Sequence, residues 1–175
     1  MTKSSQDQLA RDEKKILKIL RTNGNGSIDD LSKQCGFSRQ KVWRIIKKFE
    51  HEKLIWGYSA ICDDDAMNYK HYTMLMKRST TPLDKKVLNE ILTTYLDDLL
   101  PDGIIEIEDI QYVHGLFDGI FTFRTDSLVN AKKFCERFNE RFQGFVADIQ
   151  LLETIIPIRK QGLKNPQLKK QIEFL

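Results

Sequence analysis

Cysteine is scarce in this 175-residue chain, and the three that occur, Cys35, Cys62 and Cys135, lie far apart with no Cys-x-x-Cys pair. Any single bridge would leave one thiol over, so a disulfide framework is excluded and reduced, partly buried thiols are expected. Histidine is as sparse. His51, His71 and His114 show no zinc-ligand spacing, so no structural metal is expected and no cofactor is implied. Long apolar runs are missing too: none approaches the roughly 18 residues of a membrane span. The opening "MTKSSQDQLARDEKK" holds no apolar segment able to act as a secretory signal. The expected location is the cytoplasm, with no membrane partner.

What is present is an ordinary globular composition, 41% hydrophobic and 30% charged, enough for one large domain or two small ones. The net charge of +3 conceals a segregation. Residues 1–60 carry 13 Lys+Arg against 7 Asp+Glu, residues 61–158 carry 10 against 17, and residues 159–175 carry 5 against 1. A basic beginning followed by an acidic body suggests that one part meets a polyanion and the other does something else.

Hydrophobic spacing supports that division. "DEKKILKILRT" places Ile16, Ile19 and Leu20 on one helical face, with Asp12 as the expected N-cap and Asn23-Gly24 as the stop. Ser27 opens a second helix, with Asp30 three residues on as in a capping box, and Gly36 closes it. Ser38 then caps a third helix in which Val42, Ile45, Ile46 and Phe49 recur at core spacing, while Gln40, Arg44, Lys47 and His51 share the opposite face. Three short helices with a glycine between the last two form a helix-turn-helix, whose final helix can enter a DNA major groove. On that reading Ser38, Arg39, Gln40, Lys41, Arg44, Lys47 and Lys48 are the DNA-binding candidates. Lys41, Arg44, Lys47 and Lys48 suit phosphates; Arg39 and Gln40, in the first turn, suit guanine and adenine edges. A solvated basic face on a structural bundle is the plainer alternative. Trp43 is expected to pack at the domain edge rather than touch bases.

"LIWGYSAICD" reads as a strand leading away from the helices, and Asp63, Asp64 and Asp65 read as linker rather than magnesium ligands, because adjacent carboxylates rarely converge. The second half then alternates: strand "HYTMLMKR", helix "LDKKVLNEILTTYLDDL", strand "GIIEIEDIQYV", strand "GIFTFRT", helix "SLVNAKKFCERFNERF", strand "VADIQLLETIIPI". That βαββαβ order predicts a ferredoxin-like antiparallel sheet with both helices on one face. The last strand is apolar on both sides, Ile149, Leu151 and Ile155 against Leu152, Thr154 and Ile156, which favours pairing of sheets between two copies. The expected layout is an α+β chain: a winged-helix-like helix-turn-helix domain at 1–54, a strand linker at 55–68, a ferredoxin-like effector and oligomerisation domain at 69–160, and a basic tail at 161–175. In that tail Leu168, Ile172 and Leu175 stand at the spacing of a short docking helix.

The combination of "IDDLSKQCGFSRQKVWRIIKKFEHEKLIWGYSAICD" with a βαββαβ half centred on "LPDGIIEIEDIQYVHGLFDGIFTFRTD" resembles the Lrp/AsnC (feast/famine) transcription regulators over nearly the whole chain. Its landmarks are Leu31, Gly36 and Ser38; Val42 to Glu50; Ile55 to Tyr58; and Gly115 to Asp118. The resemblance implies a double-stranded DNA partner, self-association as a homodimer or higher assembly, no catalytic residues, and a small-molecule effector such as an amino acid. It places that effector at residues 113–119, with Gly115, Leu116, Phe117 and Asp118 as candidates at a subunit interface. Physically, Gly115 permits a tight turn beside a ligand, and Asp118 can accept hydrogen bonds from a ligand ammonium group; a plain β-turn is the alternative. Asp102, Glu106, Glu108 and Asp109 would repel acidic ligands from that rim, or form a solvated loop. Two other functions remain: an enzyme on the same architecture, as in sirohaem decarboxylases, and a low-specificity architectural DNA-binding protein.

Overall fold

The computed structural model describes residues 3–82, 85–101 and 103–171. Its first helix, α1 (Lys3–Leu20), begins well before the expected cap at Asp12. Asp12 is therefore a mid-helix residue. Its carboxylate accepts hydrogen bonds from Gln8 one turn earlier and from Lys41, so it is satisfied by side chains rather than by free backbone N–H groups. The next two helices follow their sequence signals. Ser27 caps α2 (Ile28–Cys35) by accepting from Asp30 N, and Gly36 ends it in the left-handed conformation at φ 68°. Ser38 caps α3 (Arg39–His51) by accepting from Lys41 N.

Ile16, Leu31, Cys35, Val42, Ile45, Ile46 and Phe49 close around one apolar core between these helices. The chain divides into two compact units, and this first one comprises Met1–Ile61 together with Ile158–Lys169. Those later residues form a two-stranded hairpin, whose strands are introduced below. The segment expected as a linker strand, 55–68, forms no strand: a strand needs a ladder partner, and none is supplied among the described residues. Asp65–Met67 is instead a single 3-10 turn.

The second unit, Cys62–Pro157 in the main, is built as β1 (Lys70–Arg78), α4 (Lys85–Thr93), β2 (Glu106–Tyr112), β3 (Gly119–Thr125), α5 (Leu128–Arg141) and β4 (Val146–Glu153). The strands lie in the order β2-β3-β1-β4 with every neighbouring pair antiparallel, the ferredoxin-like topology the element order predicts. Alternation along β3 buries Phe121 and Phe123, and β1 buries Tyr72 and Met74, on the face covered by the helices. Phe134 and Phe138 of α5 meet that face with ring centroids 4.9 Å from Phe123 and 5.0 Å from Phe121.

The expected fourth helix is shortened. It stops at Thr93 and is followed by a 3-10 turn, Leu96–Leu99, that drives Leu96 into the core; Leu83 and Asp84 lie outside the described residues. β4 ends at Glu153 because its partner β1 starts at Lys70, and Glu153 pairs with Tyr72 near that edge. Ile149 and Leu151 pack on the core, whereas Leu152 and Ile155 are exposed. Past β4 come β5 (Arg159–Lys160) and β6 (Leu163–Lys164), paired antiparallel, then a four-residue helix α6 (Leu168–Gln171). Ile172 and Leu175 of the expected docking helix lie outside the described residues. No described helix is long and apolar enough to cross a membrane.

Candidate nucleic-acid interface and effector loop

Burial of Val42, Ile45, Ile46 and Phe49 fixes the rotation of α3, and the rotation decides which side chains face solvent. Arg39, Gln40, Trp43, Arg44, Lys47, Lys48 and His51 are exposed. Gln40, Trp43, Arg44 and Lys47 follow the i, i+3, i+4, i+7 spacing and make one stripe. Trp43 is 53% exposed in the middle of it, which departs from the packing expected of it.

The basic side chains divide by partner. Lys41 binds Asp12 of α1 and sits 4.4 Å over the Phe37 ring. The Lys41 ammonium holds the Asp12 carboxyl below its ordinary pKa. Lys48 binds Glu13 at 2.7 Å, and this bond raises the lysine's own pKa. Arg39 pairs with Asp29 of α2 at 2.6 Å, and Lys47 pairs with Glu50 on its own helix at 2.7 Å. Glu50, held below its ordinary pKa chiefly by Lys47, also accepts from the Tyr58 hydroxyl. Arg44 makes no ion pair among the described residues. Of the seven DNA-binding candidates, then, Gln40 and Arg44 present unengaged polar groups, Arg39 and Lys47 carry exposed ion pairs, Lys41 and Lys48 tie α3 to α1, and Ser38 is the cap. The ties to Asp12 and Glu13 were not visible in the sequence, since they join residues 29 and 35 positions apart.

The loop at 113–119 is held by backbone and carboxylate bonds. Val113 N donates to Asp118 O, Asp118 N donates to Met76 O, and Asp118 Oδ2 accepts from Arg78 N at 2.8 Å. One Asp118 oxygen is therefore committed to stitching the loop onto β1. Gly115 has an almost extended φ of 159° and open space where a side chain would point, so nothing among the described residues crowds it. Leu116 is exposed, and Phe117 and Asp118 are half-buried. Nearby, Tyr112 accepts from Arg78 Nη1 at 3.1 Å. A separate open depression of about 400 Å³ lies beside Asp97, Asp98 and Ile105, away from the expected loop. Of the acids expected at the loop's rim, Glu106 and Glu108 are bound by Arg124 at 3.2 and 3.1 Å, and Asp109 accepts from Thr122; Asp102 lies outside the described residues.

Residues 13–55 match the winged helix-turn-helix DNA-binding family. The proline dehydrogenase transcriptional activator of Rhizobium radiobacter is 28% identical over 123 residues, 70% of this chain and 74% of that protein. The fold is similar to that in the crystal structure of an AsnC family transcriptional regulator from Agrobacterium tumefaciens, with a TM-score of 0.66 at 19% identity, covering 90% of this chain and 96% of that one. In fold the chain is similar to solved Lrp/AsnC transcription regulators, and its helix-turn-helix is the part that a DNA-binding family model matches. A similar fold occurs in the transcriptional regulator NMB0573 of Neisseria meningitidis, solved as a complex with L-Met, at a TM-score of 0.64 and 16% identity over 91% of this chain and 97% of that one. The matched helix-turn-helix lies in the amino-terminal unit, and α3 is its second element.

Proposed function

We propose that the protein is a sequence-specific transcription regulator that binds double-stranded DNA as a homodimer or higher assembly, in the cytoplasm, and answers to a small molecule such as an amino acid. It acts by binding rather than catalysis. The observation that carries this proposal is the stripe on α3: a helix pinned by four buried apolar residues presents Gln40 and Arg44, unengaged, to solvent. A bidentate Arg or Gln contact to a base edge is worth about 1–3 kcal/mol of discrimination. The proposed phosphate contacts are Lys41, Lys47 and Lys48, together with the Ser38 cap end of the helix, and Arg39 reaches the first bases by exchanging Asp29 for DNA.

Self-association is supported by apolar side chains that the single chain leaves open. Trp56 is 96% exposed, and Leu54, Tyr58, Leu152 and Ile155 are exposed as well. The effector proposal rests on the loop of Gly115, Leu116, Phe117 and Asp118, where Asp118 Oδ1 is the oxygen left to meet an ammonium group. The L-Met bound by the Neisseria regulator makes amino acids the first ligands to try. Selection of duplexes from a random pool tests the DNA half: a recovered consensus, bound more tightly than its shuffled counterpart, is the expected result. Titrating that complex with single amino acids, while following affinity and assembly mass, tests the effector half. No recovered consensus would overturn sequence specificity, and no response to any amino acid would overturn the effector assignment.

A further inference from the structure

The family that residues 13–55 match is called winged, yet the residues after α3 form no hairpin: among the described residues, no strand occurs between His51 and Lys70. The amino-terminal unit nevertheless contains one hairpin, and the chain supplies it from its far end. After β4 the chain returns to that unit with Ile158–Lys169, which includes β5 and β6. Resting on the DNA-binding reading above, we infer that the β5–β6 hairpin is a wing supplied in this way, and that it grips the DNA phosphate backbone.

Three features point to a polyanion. The hairpin is tight and locally ordered: Lys160 pairs with Leu163, so Gln161 and Gly162 alone make the turn. Both have positive φ, 46° and 88°, as a type I′ turn requires. Asn165 N donates to Ile158 O and extends the pairing by one step.

The tight turn also sets two like charges face to face. Arg159 and Lys164 are directly paired across the strands, so their side chains leave the same face of the hairpin. Both are exposed, and neither makes an ion pair among the described residues. Like charges directly opposite destabilise a ladder, and an anion bound between them reverses the sign of that interaction.

The third feature is the absence of competing acid. Between Glu153 and Glu173 the sequence has five Lys or Arg residues and no Asp or Glu. This contrasts with α3, where Lys41 and Lys48 already hold carboxylates of α1. Phosphate contacts of this kind position a protein on the duplex and carry no sequence information. The hairpin therefore adds affinity and salt dependence, and leaves base preference to α3.

The test measures binding of the full chain to a duplex selected from a random pool and to its shuffled counterpart across a monovalent salt series. Native protein is compared with R159Q/K164Q, with R159K/K164R and with Arg159→Glu. Each phosphate contact contributes about 0.9 to the slope of log affinity against log salt. R159Q/K164Q is expected to lower that slope by about 1.8 per hairpin engaged, and to weaken both duplexes alike by about thirtyfold at 0.15 M salt. R159K/K164R keeps the charges and the native slope. Arg159→Glu sets a carboxylate opposite Lys164, which favours the hairpin itself while repelling phosphate. Its expected signature is weakened DNA binding with an unchanged or raised Tm, so lost affinity is not confused with lost folding. A native slope in R159Q/K164Q, or native affinity in Arg159→Glu, overturns the wing while leaving the regulator reading intact. A native protein that binds neither duplex at low salt overturns that reading and the wing with it.

Discussion

The two units use ion pairs to opposite ends. On α3 cations outnumber acids, and the pairs Lys41–Asp12, Lys48–Glu13 and Arg39–Asp29 fix the helix to its neighbours. What remains over is positive: Arg44, on the solvent face. On the sheet of the second unit the proportion is reversed. There Arg124 lies within reach of Asp64, Glu106 and Glu108 together, and Glu108 also meets His71 Nε2 at 3.1 Å. Over residues 61–158 acids exceed bases by 17 to 10. The difference teaches that the number of ion pairs says little about a partner, whereas the sign of the excess charge bears on one: a polyanion suits the first surface better than the second.

The sharpest way to break the contrast within α3 is to exchange its two faces as targets. Phe49→Ala should cost about 3–5 kcal/mol, because it empties a core between three helices. Trp43→Ala, on the exposed stripe, should change stability by less than about 1 kcal/mol. Denaturant unfolding of both variants checks this, and equal losses would show that the rotation of α3 has been misassigned.

Next in size is the loop at 113–119. Asp118→Ala removes the acceptor of Arg78 N and should cost about 1–2 kcal/mol. Asp118→Asn keeps an acceptor oxygen for Arg78 N and should fold normally while losing any response to an amino acid's ammonium group. A normal amino-acid response in the Asn variant would leave Asp118 with a structural part alone.

The tied lysines give a smaller effect. Lys41→Gln and Lys48→Gln should each change the salt slope of DNA binding by less than the roughly 0.9 of a free contact, since each lysine must first release a carboxylate. Acid should act on the same ties. Asp12 titrates below its ordinary value of 3.8 because Lys41 stabilises the carboxylate. Its folded pKa is the lower one, so the contribution is fully present above the ordinary value and is lost as pH falls through the folded value. Asp12→Asn should flatten that acid limb, and thermal melts between pH 5 and about 2.5 measure it. Smallest of all is thiol chemistry: burial pushes Cys135 up to about 11, so alkylation at neutral pH should reach exposed Cys62 first.

Where the sequence was readable, local signals agreed with one another. Ser27, Gly36 and Ser38 act as caps in the structure as their spacing predicts, and Val42, Ile45, Ile46 and Phe49 are buried. The run "GIFTFRT" is β3 from end to end. Asp12 misled because a carboxylate before an apolar run looks the same whether it caps backbone N–H groups or waits for a lysine from a helix not yet reached in the chain. The run from 55 to 68 misled because strand propensity needs an edge to pair with, and propensity alone does not say whether one exists. Least legible was the return of Ile158–Lys169 to the first unit, a consequence of tertiary packing at the opposite end of the chain. Gln161-Gly162 was its only local trace.

The most direct test of the central claim compares native protein with Arg44→Ala on a selected duplex and its shuffled counterpart at matched salt. Native protein should prefer the selected duplex, and Arg44→Ala should lose about tenfold or more of that preference while keeping much of its affinity for the shuffled one. An unchanged preference in Arg44→Ala would show that α3 does not read sequence through the stripe that its buried face leaves exposed.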